Sequence, residues 1–211
     1  MKRTWLVWLS DICTVLFGVG QVWQITNLPA KQSVSWYLSF FLFVLFALMI
    51  ASHECKNTPS SSALERRWAY RLWLVVACIN LGYSVIMKAL VRAEIWATND
   101  WINLSIFTCA FAISVSIALG KRLALTDSVS RGMFALSLKA IPQWWLAWVI
   151  VQTPGSAPSN LAILAGLITI AVRITMLGNP ITWNRDQKGL ALAEYSNFLS
   201  WGSVAVVSWF L

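Results

Sequence analysis

The chain has little of what a soluble enzyme needs. Its 211 residues include one histidine and eight carboxylates, and only 11% of them are charged. A single histidine excludes the paired-histidine zinc site of a metallohydrolase, and no Gly-rich phosphate loop ending in Lys-Ser/Thr is present. No serine has a base beside it, and the acids are too scattered for metal or acid–base work. These absences point away from an enzyme and give no motif for a cofactor or a metal. His53-Glu54-Cys55 does place three ligand types in a row, but neighbouring side chains at a helix end diverge and no fourth ligand is near. The four cysteines, Cys13, Cys55, Cys78 and Cys109, lack paired spacing and read as small apolar packing residues. Long polar segments are missing too: Ser52 to Ala69 is the only sizeable hydrophilic connection, and it predicts a loop with a helical extension into the following span.

What is abundant is apolar. Hydrophobic residues make up 58% of the chain and mean hydropathy is +0.66. A bilayer-spanning helix needs about 20 apolar residues. Seven runs fit that length: Trp5 to Ile25, Val34 to Ser52, Tyr70 to Val91, Trp101 to Leu119, Met133 to Gln152, Leu161 to Leu177 and Leu190 to Leu211. They are continuous and do not alternate, which excludes barrel strands. The first run follows Met1-Lys2-Arg3 as a signal peptide would, but Asp11 interrupts it and no small-x-small cleavage site follows. The predicted fold class is an all-α membrane protein with seven transmembrane helices.

The net charge of +8 does not point to nucleic acid, because the basic residues lie in short loops between spans. Lys2, Arg3, Lys56, Arg66, Arg67, Arg71, Lys121, Arg122, Arg131, Arg185 and Lys188 fall on one side; Lys31, Lys88 and Arg92 fall on the other. The positive-inside rule then predicts a cytoplasmic N-terminus and an outside C-terminus, in a plasma membrane of the bacterial inner-membrane type.

The runs repeat. Pro142-Gln143 sits within the fifth, and Gly20-Gln21 sits at a similar depth in the first. Each is followed by a turn containing serine (Ser33, Ser156), a second apolar run, and a third run carrying one asparagine (Asn80, Asn197). This predicts a 3+1+3 arrangement: a first three-helix repeat over 1–92, a linker helix over 93–128 and a second three-helix repeat over 129–211. Three spans plus one is an even number, so the repeats are parallel about an axis along the membrane normal.

Each polar element inside a span needs a physical reason. Pro142 removes a backbone donor and frees the carbonyl of Leu138, a defect that survives in lipid only against protein or a water-filled cavity. Asn80 and Asn197 lie near mid-span, where burial without partners is costly, and their matched positions predict a shared site with Gln21 and Gln143. Intramembrane charges are functional candidates by default. Lys139 and Glu194 would pair as a gate, or Lys139 without a carboxylate partner would attract an anionic substrate such as a small carboxylate, whereas Arg173 and Lys88 are expected to reach toward the headgroups. Most of the 14 tryptophans fall near span ends, as indoles prefer. Trp144, Trp145, Trp148 and Trp201 lie deeper; Trp145, Trp148 and Trp201 are taken as candidates for stacking on a substrate.

The pattern resembles the PQ-loop superfamily, which includes the SWEET sugar transporters and bacterial nicotinamide riboside transporters, over nearly the whole chain. Its most specific element is Ala140-Ile141-Pro142-Gln143, followed by Gly155-Ser156-Ala157-Pro158-Ser159. The resemblance implies hinges at Pro142 and Pro158 and substrate contact by Asn80 and Asn197. In the first repeat Gly20 stands where the family has proline, and the second span lacks one. Gly18 and Gly20 would then supply backbone freedom. The expected function is a carrier moving a sugar, nucleoside or vitamin, amino acid or small carboxylate by alternating access. The alternative is a non-transporting receptor or assembly factor that binds a peptide or protein in the same fold. The expected partners are a small-molecule substrate and the lipid bilayer, with no nucleic acid; homo-oligomerisation is open.

Overall fold

The structure is a computed structural model describing residues 5–57, 59–124, 127–153, 155–183 and 185–210, with the backbone alone at 185 and 186. It is all-helical, with no strand among the described residues. Seven long helices follow one another: α1 Trp5–Asn27, α2 Val34–Asn57, α3 Ser61–Leu90, α4 Thr98–Gly120, α5 Ser128–Gln152, α6 Asn160–Met176 and α7 Arg185–Phe210. The first five are long and apolar enough to cross a membrane. α6 is apolar but has only 17 residues. α7 is long, yet Lys188, Glu194 and several serines dilute its apolar character.

Local sequence sets the helix ends. The hydroxyls of Ser60 and Ser159 accept from the backbone N–H groups of Ala63 and Ala162, at 3.1 and 3.2 Å. The Asp127 carboxylate accepts from Val129 N–H at 2.8 Å. Each satisfies a donor that the first helical turn leaves without a partner. The polar segment after α2 is shorter than its composition suggests: α2 runs to Asn57 and α3 begins at Ser61, so most of Ser52 to Ala69 is helical.

α5 changes character in its middle. It is α-helical over Ser128–Ala135, π-helical over Leu136–Ala140 and α-helical again over Ile141–Gln152. The N–H of Ile141 donates to Leu136, five residues back. Pro142 follows at once and has no N–H to give Leu138. The wider π turn is how this helix admits a proline without breaking.

Packing follows a regular order. α3 lies against both α1 and α2, whose own backbones stay apart; α7 lies likewise against α5 and α6. α1 also packs on α6, and α2 on α5, which closes a ring in the order α1, α3, α2, α5, α7, α6. α4 stands outside the ring against α2 and α5. Large apolar side chains such as Ile12, Val19, Ile86, Ile113 and Leu199 face outward. Inward, Phe17, Trp36, Phe40, Trp73 and Trp201 form one aromatic cluster, in which Phe17 meets Trp73 edge-on at 5.2 Å between centroids.

Gly20 lets α1 approach α6: a Cβ there would stand 2.7 Å from the backbone nitrogen of Ala162 and 2.6 Å from Ser159 Oγ. Nothing lies within 4 Å of a Cβ built at Gly82 in α3. Gly20→Ala should therefore destabilise the purified protein by about 1–3 kcal/mol. Gly82→Ala should be neutral or gain up to about 1 kcal/mol. Thermal unfolding in detergent compares the two.

Candidate central site

Two spaces lie inside the ring. The larger, about 480 Å³, opens at the end where α1 begins, α2 ends and α3 begins. Its wall carries Asp11, Glu54, Arg66, Arg131, Arg173 and Glu194. Glu54 on α2 bonds both Arg66 of α3, at 3.2 Å, and Arg131 of α5, so one carboxylate holds three helices at this mouth. Deeper in, a cavity of about 20 Å³ sits among the central aromatic rings, where it is lined by Lys139, Gln143, Thr169, Asn197 and Trp201. Arg173 borders both spaces.

The lining of the deep cavity is divided by origin. Phe17, Trp36, Phe40 and Trp73 come from α1 to α3, whereas every polar residue comes from α5 to α7. Trp201 is the aromatic contribution of α7. It is buried, packs its Nε1 side against Gly166, donates from Nε1 to the Ile163 carbonyl at 3.1 Å, and stacks within 11° of Trp36. The ring of Trp36 belongs to the opposite triplet, so this stack joins the two halves of the ring.

Some polar groups here are satisfied and others are not. Ser200 donates to Gln143 Oε1 at 2.5 Å, and the Thr169 hydroxyl donates to the Ala165 carbonyl. Asn197 is 2% exposed, yet neither its Nδ2 nor its Oδ1 has a hydrogen bond within the described residues. Such a side chain is costly unless something else supplies partners. Asn80 lies one helical turn beyond Val76 and two beyond Trp73 on α3, buried, with its Oδ1 also unbonded.

The far end of the ring is sealed by polar contacts. Asp100, at the start of α4, accepts at Oδ1 from the hydroxyls of Ser33 and Ser35, both at 2.8 Å, and from Ser35 N–H at 2.9 Å. Its Oδ2 accepts from Ala97 N–H at 3.2 Å and faces Lys88 Nζ at 3.9 Å. Asn103 adds a bond to Ser35 at 2.9 Å. On the α1 side, the Tyr37 hydroxyl bonds Gln21 Oε1 at 3.0 Å and reaches Gln32 at 3.1 Å.

This geometry changes several expectations. Glu194 pairs with Arg173, at 3.5 Å, in place of Lys139. The Lys139 ammonium instead lies 5.0 Å from the centroid of Phe43 and 6.0 Å from that of Phe40. Arg173 does not extend toward the headgroups, because Glu194 and the faces of Tyr70 and Trp73, each 5.8 Å away, hold it inside. Lys88 is 1% exposed and turns inward to Asp100 and the Ile95 carbonyl. Trp148 points outward, and Trp145 is half-buried with Nε1 donating to the Asn99 carbonyl of α4, so neither lines the cavity. Gln21 lies in the far-end seal, apart from Gln143 and Asn197. Gly20 and Pro158 border a shallow outer groove.

Sequence reasoning missed Trp36, Trp73, Phe17 and Asp100. Trp73 and Asn80 are seven residues apart and share a helix face, a signal that was readable. Trp36 lies close to a span end and looks like an interfacial anchor until its neighbours are known.

Compared with known protein families, curated proteins and solved structures, the chain matches none.

Arg173→Met strands Glu194 without its cation, so it should lower stability by about 3 kcal/mol, and adding Glu194→Gln should restore most of the loss. Denaturant unfolding in detergent of the two single variants and the double variant measures that coupling. Asp100→Ala leaves Lys88 and two serines without their shared acceptor and should cost about 3 kcal/mol or more by the same measurement.

Proposed function

We propose that this protein is a membrane carrier that moves a small polar solute by alternating access, built from two parallel three-helix bundles, α1–α3 and α5–α7, joined by α4. The observation that carries this reading is the asymmetry of access to one buried polar site. The vestibule opens at one end and shares Arg173 with the small buried cavity that Asn197 lines, while the Trp36–Trp201 stack and the Asp100 network stand toward the other end. A carrier caught open to one side has that form.

The neighbour relations support the repeat. α3 separates α1 from α2 as α7 separates α5 from α6, and α1 on α6 corresponds to α5 on α2. The proline at the π turn of α5 gives the second bundle a place where bending costs little, as the resemblance to PQ-loop carriers implies for Pro142. The vestibule carries Arg66 and Arg131, so the positive-inside rule makes its mouth cytoplasmic. In this conformation the protein therefore faces inward.

Purified protein in liposomes is expected to move a small solute down its gradient without ATP. Asn197→Ala should reduce that flux by about tenfold or more, since both ends of its amide lack a hydrogen bond among the described residues. Asn80→Ala should also reduce it. Flux unchanged by both substitutions rules out the central site. A tightly bound protein partner with no flux of any solute replaces the carrier reading with that of a receptor.

A further inference from the structure

The deep cavity is lined by a lysine whose ammonium has no ion pair among the described residues. Lys139 reaches it from the π turn of α5, and its ammonium meets the faces of Phe43 and Phe40. No lining residue of the cavity is acidic. Glu194 pairs with Arg173 through Oε1 and makes no ion pair with Lys139 among the described residues, although its charge acts on that ammonium from outside the cavity lining. Ring faces offset only part of the cost of taking an ammonium out of water.

A second observation points to the same ligand. Asn197 lines this cavity with both ends of its amide unbonded. A carboxylate accepts from an ammonium and from an amide N–H together, in charge-assisted bonds stronger than those to a neutral group. A polyhydroxylated solute fits less well: Gln143 Oε1 is already taken by Ser200, and the Thr169 proton is committed to Ala165. Facing the polar residues are the rings of Trp36, Trp73 and Trp201, which offer flat apolar area to a planar group.

We propose that the site takes a planar organic anion, an aromatic monocarboxylate whose carboxylate is held between Lys139 and Asn197 Nδ2 and whose ring lies against the tryptophans. The cavity of about 20 Å³ is nearly closed in this conformation. The ring therefore enters from the 480 Å³ vestibule past Arg173 as the aromatic wall parts. The proposal deepens the carrier reading and rests on it for movement, whereas binding stands on the cavity alone.

Calorimetric titration of the full-length protein in detergent tests it, with benzoate, benzamide and cyclohexanecarboxylate as probes, alongside benzoate flux into liposomes. Benzoate should bind about tenfold or more tighter than benzamide, which has nearly its shape without the charge. It should also bind more tightly than the non-planar cyclohexanecarboxylate. Lys139→Met should erase the preference over benzamide and Lys139→Arg should keep it. Asn197→Asp places a fixed carboxylate in the same cavity and should abolish benzoate binding while unfolding stays cooperative. The proposal is overturned by absent benzoate binding, by equal affinity for benzoate and benzamide, or by benzoate binding that survives both Lys139→Met and Asn197→Asp. Benzoate binding without flux keeps the anion site and removes the carrier reading. Flux of a neutral solute without benzoate binding does the reverse.

Discussion

A polar group enclosed by apolar helices has no water to turn to, so it must be answered from within the protein. This requirement organises the whole bundle. At one end Asp100 gathers Ser33, Ser35 and Lys88, tying the starts of α2 and α4 to the end of α3. At the other Glu54 gathers Arg66 and Arg131. In both places a single carboxylate serves three helices, which is how a chain with only eight acids holds its charged side chains. Against this background Asn197, unbonded at both ends of its amide, and Lys139, without an ion pair among the described residues, stand together at one small cavity.

The two halves of the ring bring different chemistry to the centre. The first triplet brings rings, and the second brings Lys139, Gln143, Thr169, Arg173 and Asn197. A ligand recognised by both would couple them, since its apolar face and its polar face would be held by different bodies. Movement of either triplet relative to the other would then loosen one face at a time. The Trp36–Trp201 stack crosses that same boundary and closes the site on the side away from the vestibule.

Much of the helical framework was legible in the sequence because continuous apolar runs near bilayer length have few other outcomes. Pro142, Asn197 and Trp201 were legible for a related reason: each is out of place in a plain apolar helix. What could not be read was partnership. Glu194 had two cations in reach by sequence depth, and only the rotation of α5 and α6 about their axes assigns it Arg173. Lys88 near a span end looks free to extend outward until Asp100, brought close by the short turn between α3 and α4, draws it in. Trp145 and Trp148 are one turn apart on a helix whose other face lines the cavity, so depth alone placed them on the wrong side.

The π segment Leu136–Ala140 has a consequence for how this chain compares with itself. It spends one more residue on a turn than an α-helix does, which shifts the angular phase of everything after it by about 100°. α1 has no such segment. A residue-by-residue superposition of α5 on α1 can therefore match the faces before the π turn or those after it, and never both. Aligning Gln143 with Gln21 puts the two helices out of register toward their beginnings. If α1 and α5 are copies, as the proposed repeat has it, an ungapped comparison of the two matches only one side of the π turn at a time.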